Sequence, residues 1–249
     1  MTVTHFIQTK RSGCIALAIY MLLVIAMVSS IPSIDLASTV SDSTGSQLQW
    51  LTDSAGSHGF LFSTIALCLI PIYLKLPKST MLKLGAQLGI LLVLSFGAKT
   101  LLKQVTAVPR PYANFLQHID AVKSAETFYQ LDVESKNAVI ESVSNSVSPW
   151  RTSHWLGEMD YSFPSGHTIF VSICILFFGG ILIQHKRYML FSIILTWGIG
   201  VAYSRLWLGM HRPIDLLGSM LCALILYCLI PEQWIQNKVH QVLKVTKQK

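Results

Sequence analysis

The stretch Tyr161-Ser162-Phe163-Pro164-Ser165-Gly166-His167 closes a polar segment, and the apolar run 168–183 starts directly behind it. Pro164, Ser165 and Gly166 are turn and helix-opening residues, so this spacing predicts a helix start with His167 in the first turn. The run that follows is long enough to place that first turn at the water boundary of a membrane. A helix start directs unpaired backbone N–H groups outward and carries the positive end of the helix dipole. It therefore suits an anion such as phosphate.

Outward from this stretch the chain keeps the same alternation. Apolar runs occupy residues 14–31, 60–76, 84–102, 168–183, 189–208 and 214–230, each near the ~20 residues that a spanning helix needs. Of the 249 residues 52% are hydrophobic and 12% charged, against about a quarter charged in a soluble globular domain. The expected fold is therefore all-α. It is a single polytopic membrane domain over 1–249 with six transmembrane helices. The first run follows Lys10-Arg11 like a signal peptide, but five further spans and a poor cleavage site favour a retained helix. The first 13 residues and the tail after Trp234 read as short interfacial or disordered ends.

The formal charge of +7 does not indicate nucleic acid, because the basic residues sit in short clusters between the apolar runs. Lys10 and Arg11, then Lys75, Lys78 and Lys83, then Lys186 and Arg187, then Lys238, Lys244, Lys247 and Lys249 fall on alternate loops. The loop 32–59 has Asp35, Asp42 and Asp53 and no Lys or Arg. By the positive-inside rule both termini lie in the cytoplasm. The long segment 104–163 and the short 208–213 connection then lie outside. A loop that long carries structure of its own. Residues 121–143 have helical character, with Phe128, Leu131, Val139 and Val143 facing inward, and Ser148-Pro149 opens a further turn bearing Trp150 and Trp155. A helical cap on the outer face is expected. The five cysteines, Cys14, Cys68, Cys174, Cys222 and Cys228, lie within apolar runs and read as lipid- or core-facing thiols, not disulfides.

Three clusters fall at outer helix–loop boundaries. They are Lys103 with Arg110-Pro111, Pro164-Ser165-Gly166-His167, and Ser204-Arg205 with His211 and Asp215. In this order and at these spacings they resemble the type 2 phosphatidic acid phosphatase family. The stretches 151–155 (Arg-Thr-Ser-His-Trp) and 204–211 (Ser-Arg-Leu-Trp-Leu-Gly-Met-His) are similar to its bacterial phosphatidylglycerophosphate-hydrolysing members. The resemblance implies hydrolysis of phosphatidylglycerophosphate to phosphatidylglycerol, with phosphatidate, lysophosphatidate, diacylglycerol pyrophosphate and undecaprenyl pyrophosphate as further substrates.

The residues also read physically. Phosphoryl transfer needs an in-line nucleophile, positive charge around the equatorial oxygens and a proton for the leaving oxygen. Lys103, Arg110 and Arg205 are three cations, and arginine forks make two-point contacts with phosphate. Ser165 and the Gly166 N–H add neutral donors. His211 is read as nucleophile, because Asp215 four residues on shares its helix face and can hold one ring N–H. His167 then protonates the leaving oxygen and later activates water. Lys99, one turn before Lys103, either extends the positive site or snorkels to the interface. His118, His154 and Asp160 read as outer-loop surface residues, His154 being the one that could touch the site. His167, His211, Asp215 and Asp160 form a conceivable metal set, but no two carboxylates are spaced to bridge ions. No metal and no cofactor are expected. The expected partner is a lipid phosphate within the bilayer, with no nucleic acid and no required protein partner. Vanadate haloperoxidases carry the same constellation, but they are not six-span proteins. A non-enzymatic lipid-phosphate transporter would need the cations and not the histidines.

Overall fold

The computed structural model describes residues 3–230, and among these every regular element is a helix. The basic tail cluster at 238–249 lies outside the described residues. The N-terminal residues expected as an irregular end are helical from Val3, in α1 (Val3–Ser30). Then come α2 (Asp42–Ala55), α3 (Phe60–Tyr73) and α4 (Lys78–Thr106). Four short helices form the cap: α5 (Pro111–His118), α6 (Ala125–Gln130), α7 (Val133–Ser142) and α8 (Pro149–Gly157). The chain returns through α9 (Gly166–Cys174), a π-turn (Ile175–Gly179) and α10 (Gly180–Gln184). It ends with α11 (Tyr188–Trp207) and α12 (Pro213–Leu229).

Local chemistry explains these starts. Ser41, Ser124, Asp132 and Ser165 are N-caps whose side chains accept from backbone N–H groups three residues on. Pro111, Pro149 and Pro213 open α5, α8 and α12, where a missing N–H costs nothing. The helix predicted at Ser165–His167 begins as expected.

Among the described residues four helical stretches, Lys10–Ser30, Lys78–His118, Gly166–Gln184 and Tyr188–Trp207, are long and apolar enough to cross a membrane. A fifth results if α2 and α3, bent by 69°, count as one. All six apolar runs lie on helices, but length alone does not qualify all six. Helix α3 has 14 residues and contains Pro71. Helix α12 has 17, about 26 Å at 1.5 Å per residue, short of the ~30 Å hydrocarbon core. The loop expected at 32–59 instead holds α2. Its polar composition hides a packing face made by Leu48, Thr52 and Ala55.

Helices α9 and α10 are apolar all round and form the centre, with α1, α4, α11 and α12 against them. Phe62, Val93, Phe96, Met189 and Leu229 stay exposed on the outer faces, as contact with lipid requires. The cap has its own core, in which Tyr112 stacks on Trp155 with ring centroids 5.0 Å apart and Phe128 packs edge-on at 5.8 Å. Of the four residues expected to face inward, Phe128 and Val143 are buried, while Leu131 and Val139 are partly so. The cap is tied to the 208–212 turn, because Trp155 Nε1 donates to Leu208 O (2.7 Å) and Tyr112 N to Gly209 O (2.9 Å). All five cysteines are free thiols.

Candidate active site

The ends of α4 and α11 and the starts of α9 and α12 meet beneath the cap, and the three sequence clusters come together there. Lys103, in the last turn of α4, bonds Tyr161 O and lies 3.0 Å from Asp160 Oδ2. Arg110, the N-cap of α5, donates from Nε to Asp160 O (2.7 Å) and from Nη2 to the Asp160 carboxylate and to Glu158 Oε2 (3.2 Å). Arg205 donates from Nη2 to Glu158 Oε2 (2.8 Å) and from Nη1 to Thr52 Oγ1 (2.7 Å), while its buried Nε has no hydrogen-bond partner. Both guanidinium forks are thus held by carboxylates from the end of the cap.

His211 lies in the turn before α12, with Nε2 3.5 Å from Arg110 Nη1. Its Nδ1 is 3.9 Å from Asp215 Oδ2, beyond hydrogen-bond range. Ser162 Oγ sits between them, 2.7 Å from Asp215 Oδ2 and 3.3 Å from Nδ1. Asp215 also accepts from Arg212 N (2.7 Å), closing the capping box of α12. His167, one residue into α9, faces Glu158 Oε1 at 3.8 Å. It is approached so closely by Gly56 that a Cβ there would stand 2.7 Å from its Nε2. Ser165 donates its N–H to Ser219 Oγ (2.8 Å) and accepts from Thr168 Oγ1 (2.9 Å). A Cβ on Gly166 would meet Lys99 Cδ at 2.8 Å. The Lys99 stem therefore lies along the start of α9, with its ammonium 4.8 Å from the Phe96 ring centroid.

The sequence model of the PAP2 superfamily matches residues 84–238, a span that includes every one of these groups from Lys99 to Ser219. The chain belongs to the PAP2 superfamily. Among its relatives, phosphatidylglycerophosphatase B of Escherichia coli (strain K12) is 30% identical over 158 residues, 63% of this chain and 61% of that protein. The chain thus spans less than two thirds of that relative's length. Phosphatidylglycerophosphatase B of Haemophilus influenzae is 30% identical over 192 residues, 74% of this chain and 79% of that protein. The bacitracin transport permease protein BcrC of Bacillus licheniformis is 37% identical over 93 residues, 35% of this chain and 41% of that protein.

In this PAP2 member the carboxylates and cations bias one another. Burial opposes charge on Glu158, but Arg205, His167, His154 and Arg110 together hold its carboxyl well below the usual carboxylate range. Burial likewise opposes charge on Asp160, and Arg110 and Lys103 outweigh it. His154 is pushed below the ordinary histidine value, first by burial and, among the charges, by Arg205, against the pull of Glu158. Burial, then Arg110, Arg205 and Lys103, push His211 well below 6.5, with Glu158 opposing. The neutral imidazole, the form with a lone pair to give, is therefore favoured.

Two residues expected on the loop surface belong to this PAP2 site. Asp160 pairs with Lys103 and Arg110. His154 lies 2.7 Å from Arg205 Nη1 and 3.2 Å from Glu158 Oε1. His118, by contrast, ends α5 on the surface. Glu158, Ser162, Thr52 and Ser219 were not singled out by sequence reasoning. The spacing of His154 and Glu158, four apart, is a weak signal for Glu158. Thr52 comes from 153 residues away, and no spacing could have exposed it. Among the described residues no group of three or more His, Cys, Asp or Glu side chains is arranged to hold a metal ion.

Lys99, Lys103, His167 and His211 line a cavity of about 680 Å³. Its apolar lining includes Phe60 of α3 and Leu92, Val93 and Phe96 of α4. Val93 and Phe96 are exposed on the outer surface of the bundle.

Proposed function

We propose that this protein is a metal-independent lipid phosphatase. It hydrolyses phosphatidylglycerophosphate to phosphatidylglycerol, and also undecaprenyl pyrophosphate and related lipid (pyro)phosphates, through a phosphohistidine. The observation that carries this reading is the shared cavity. Its lining combines two histidines and two lysines with apolar residues of α3 and α4, and Val93 and Phe96 among these are exposed on the outer surface of the bundle. A lipid whose phosphate meets the histidines and lysines would lay its tails along the apolar residues.

The reaction follows from these groups. The phosphate takes over cation contacts now made by Asp160 and Glu158, so Lys103, Arg110 and Arg205 neutralise its equatorial oxygens. The Ser165 hydroxyl and Gly166 N–H add donors at the start of α9. His211 attacks through Nε2, forming an N–P bond as the P–O bond to the lipid breaks. His167 gives a proton to the departing oxygen. It then takes a proton from water as that water attacks phosphorus and the N–P bond breaks. Three cations perform the charge neutralisation that metal ions supply elsewhere.

Six spans, with both termini cytoplasmic and the cap in the periplasm of a bacterial inner membrane, complete the reading. Helix directions support it. Helix α4 runs from Lys78 to Lys103, and the α9–α10 unit runs from His167 towards Lys186-Arg187, so the loop lysines lie at the end opposite the cavity. An outward site meets undecaprenyl pyrophosphate directly, whereas phosphatidylglycerophosphate made on the inner side must first be flipped.

The similarity to a bacitracin transport permease raises a second reading, transport without hydrolysis. It rests on a match covering 35% of the chain, and transport has no use for His211 and Asp215. Purified protein in detergent, given phosphatidylglycerophosphate, phosphatidate, undecaprenyl pyrophosphate and water-soluble glycerol phosphate with and without EDTA, decides between them. Phosphate release from the lipids that EDTA leaves unchanged is expected. Loss on chelation removes the metal-free mechanism, and no release from any lipid favours transport.

The pH profile is a further check. A nucleophile whose pKa lies below 6.5 keeps its lone pair as pH falls through that value. Once the substrate's own second ionisation near about 6 is allowed for, the acid limb of kcat/KM should lie below 6.5. An enzyme ionisation at or above the ordinary histidine range would contradict the neutral resting His211.

A further inference from the structure

We propose that Ser162 is a positioning residue through which Asp215 acts on His211. The link is His211 Nδ1–H to Ser162 Oγ, and Ser162 Oγ–H to Asp215 Oδ2. This rests on His211 being the nucleophile.

The direct pair is too long to be a hydrogen bond, at 3.9 Å, whereas Ser162 Oγ is 2.7 Å from the carboxylate and 3.3 Å from the ring nitrogen. A hydroxyl has one proton and two lone pairs. Two acceptors compete for that proton, Asp215 Oδ2 at 2.7 Å and Met210 O at 3.2 Å. The nearer and charged one makes the stronger bond. With its proton so placed, Ser162 has only lone pairs to offer Nδ1, so Nδ1 carries the hydrogen. The free lone pair is then on Nε2, the nitrogen that faces Arg110.

The three groups are held in place independently. Ser162 N donates to Val108 O (2.8 Å), and the neighbouring Tyr161 ring stacks on Tyr129 with centroids 4.5 Å apart. Asp215 Oδ2 is bound to Arg212 N, so swinging it to Nδ1 would open the cap of α12. Ser162, Asp215 and His211 are all buried. When Nε2 bonds phosphorus the ring becomes cationic. The relay brings the Asp215 charge to bear on it while the proton stays on Nδ1, and atoms and charge balance.

The test compares full-length wild type, Ser162→Ala, Asp215→Asn, the double variant and Ser162→Thr on one lipid phosphate. His211→Ala sets the zero. Readouts are kcat, KM and the rate at which acid-labile, alkali-stable phosphoenzyme forms. Ser162→Ala should lower kcat and phosphoenzyme formation by about 10–100-fold with KM within about threefold, since Ser162 does not touch phosphate. Ser162→Thr keeps the hydroxyl and should recover most of the loss. The double variant should be no worse than Asp215→Asn by more than about twofold, because both changes break one chain. Multiplying losses, or Ser162→Ala with more than half of wild-type kcat, overturns the relay and leaves Ser162 bonded to Met210 O. Should Ser162→Ala not assemble, Ser162→Cys is set against Ser162→Thr, and equal activities overturn the proposal. If His211→Ala stays active, the nucleophile reading itself fails and the relay with it.

Discussion

His211→Ala is expected to abolish phosphate release, with a fall in kcat of at least about 10⁴-fold, since removing a nucleophile removes the covalent route and not one contact among several. The fold should survive. Among the described residues, the side-chain contacts the ring makes at hydrogen-bond range are with Ser162 at 3.3 Å and Arg110 at 3.5 Å, both long, and the cap is tied to this turn through Trp155 and Tyr112 instead. The substitute nucleophiles are poor. His167 faces Glu158 and is the proton donor to the leaving oxygen, so an attack by His167 would leave the departing oxygen without that proton. The measurement is release of inorganic phosphate alongside phosphoenzyme trapping by acid-labile label. A variant that folds and still forms phosphoenzyme, or retains more than about 1% of kcat, would remove His211 from the covalent step.

The second large effect separates the two histidines by the leaving group. His167→Ala should lower hydrolysis of a lipid phosphomonoester by about 10²–10⁴-fold, because an alkoxide leaves badly without a proton. With a lipid diphosphate the leaving group is itself a phosphate and needs the proton less. The first step should then persist, giving a burst of lipid monophosphate, while the water that must break the N–P bond lacks its base. Phosphohistidine should accumulate with the diphosphate and not with the monoester. Equal losses on both substrates without accumulation would mean that His167 binds the phosphate and does not move protons.

These expectations draw on features of unequal visibility in the chain. The low charge content and six apolar runs already require a helical membrane protein, and every run lies on a helix. Local chemistry was equally legible, since capping depends on residues within one turn. Ser165 and Pro149 open helices where their spacing predicts. Helix α2 was missed because its polar surface outweighs a packing face of a few residues. Spacing also pointed to Lys103, Arg110, His167, Arg205, His211 and Asp215 as one group, and the folded chain brings them together. It said nothing of what lies between them.

That interior is the part decided by tertiary structure. Asp160 reads as a loop residue and nothing in the sequence marks Glu158, yet the cap carries both between the guanidinium groups and Lys103. Sequence periodicity places Asp215 on the same helix face as His211, but the bonding is decided by the chain 49 residues upstream, which inserts Ser162 between them. The physical reason is range. Apolarity, capping and turn chemistry act within a few residues and are written in short windows. Hydrogen bonds and charge pairs act over about 3 Å between atoms whose separation depends on every intervening turn. The chain by itself therefore determined the class, most of the helices and the family, and packing of the cap against the helix ends determined which atoms face one another inside the cavity.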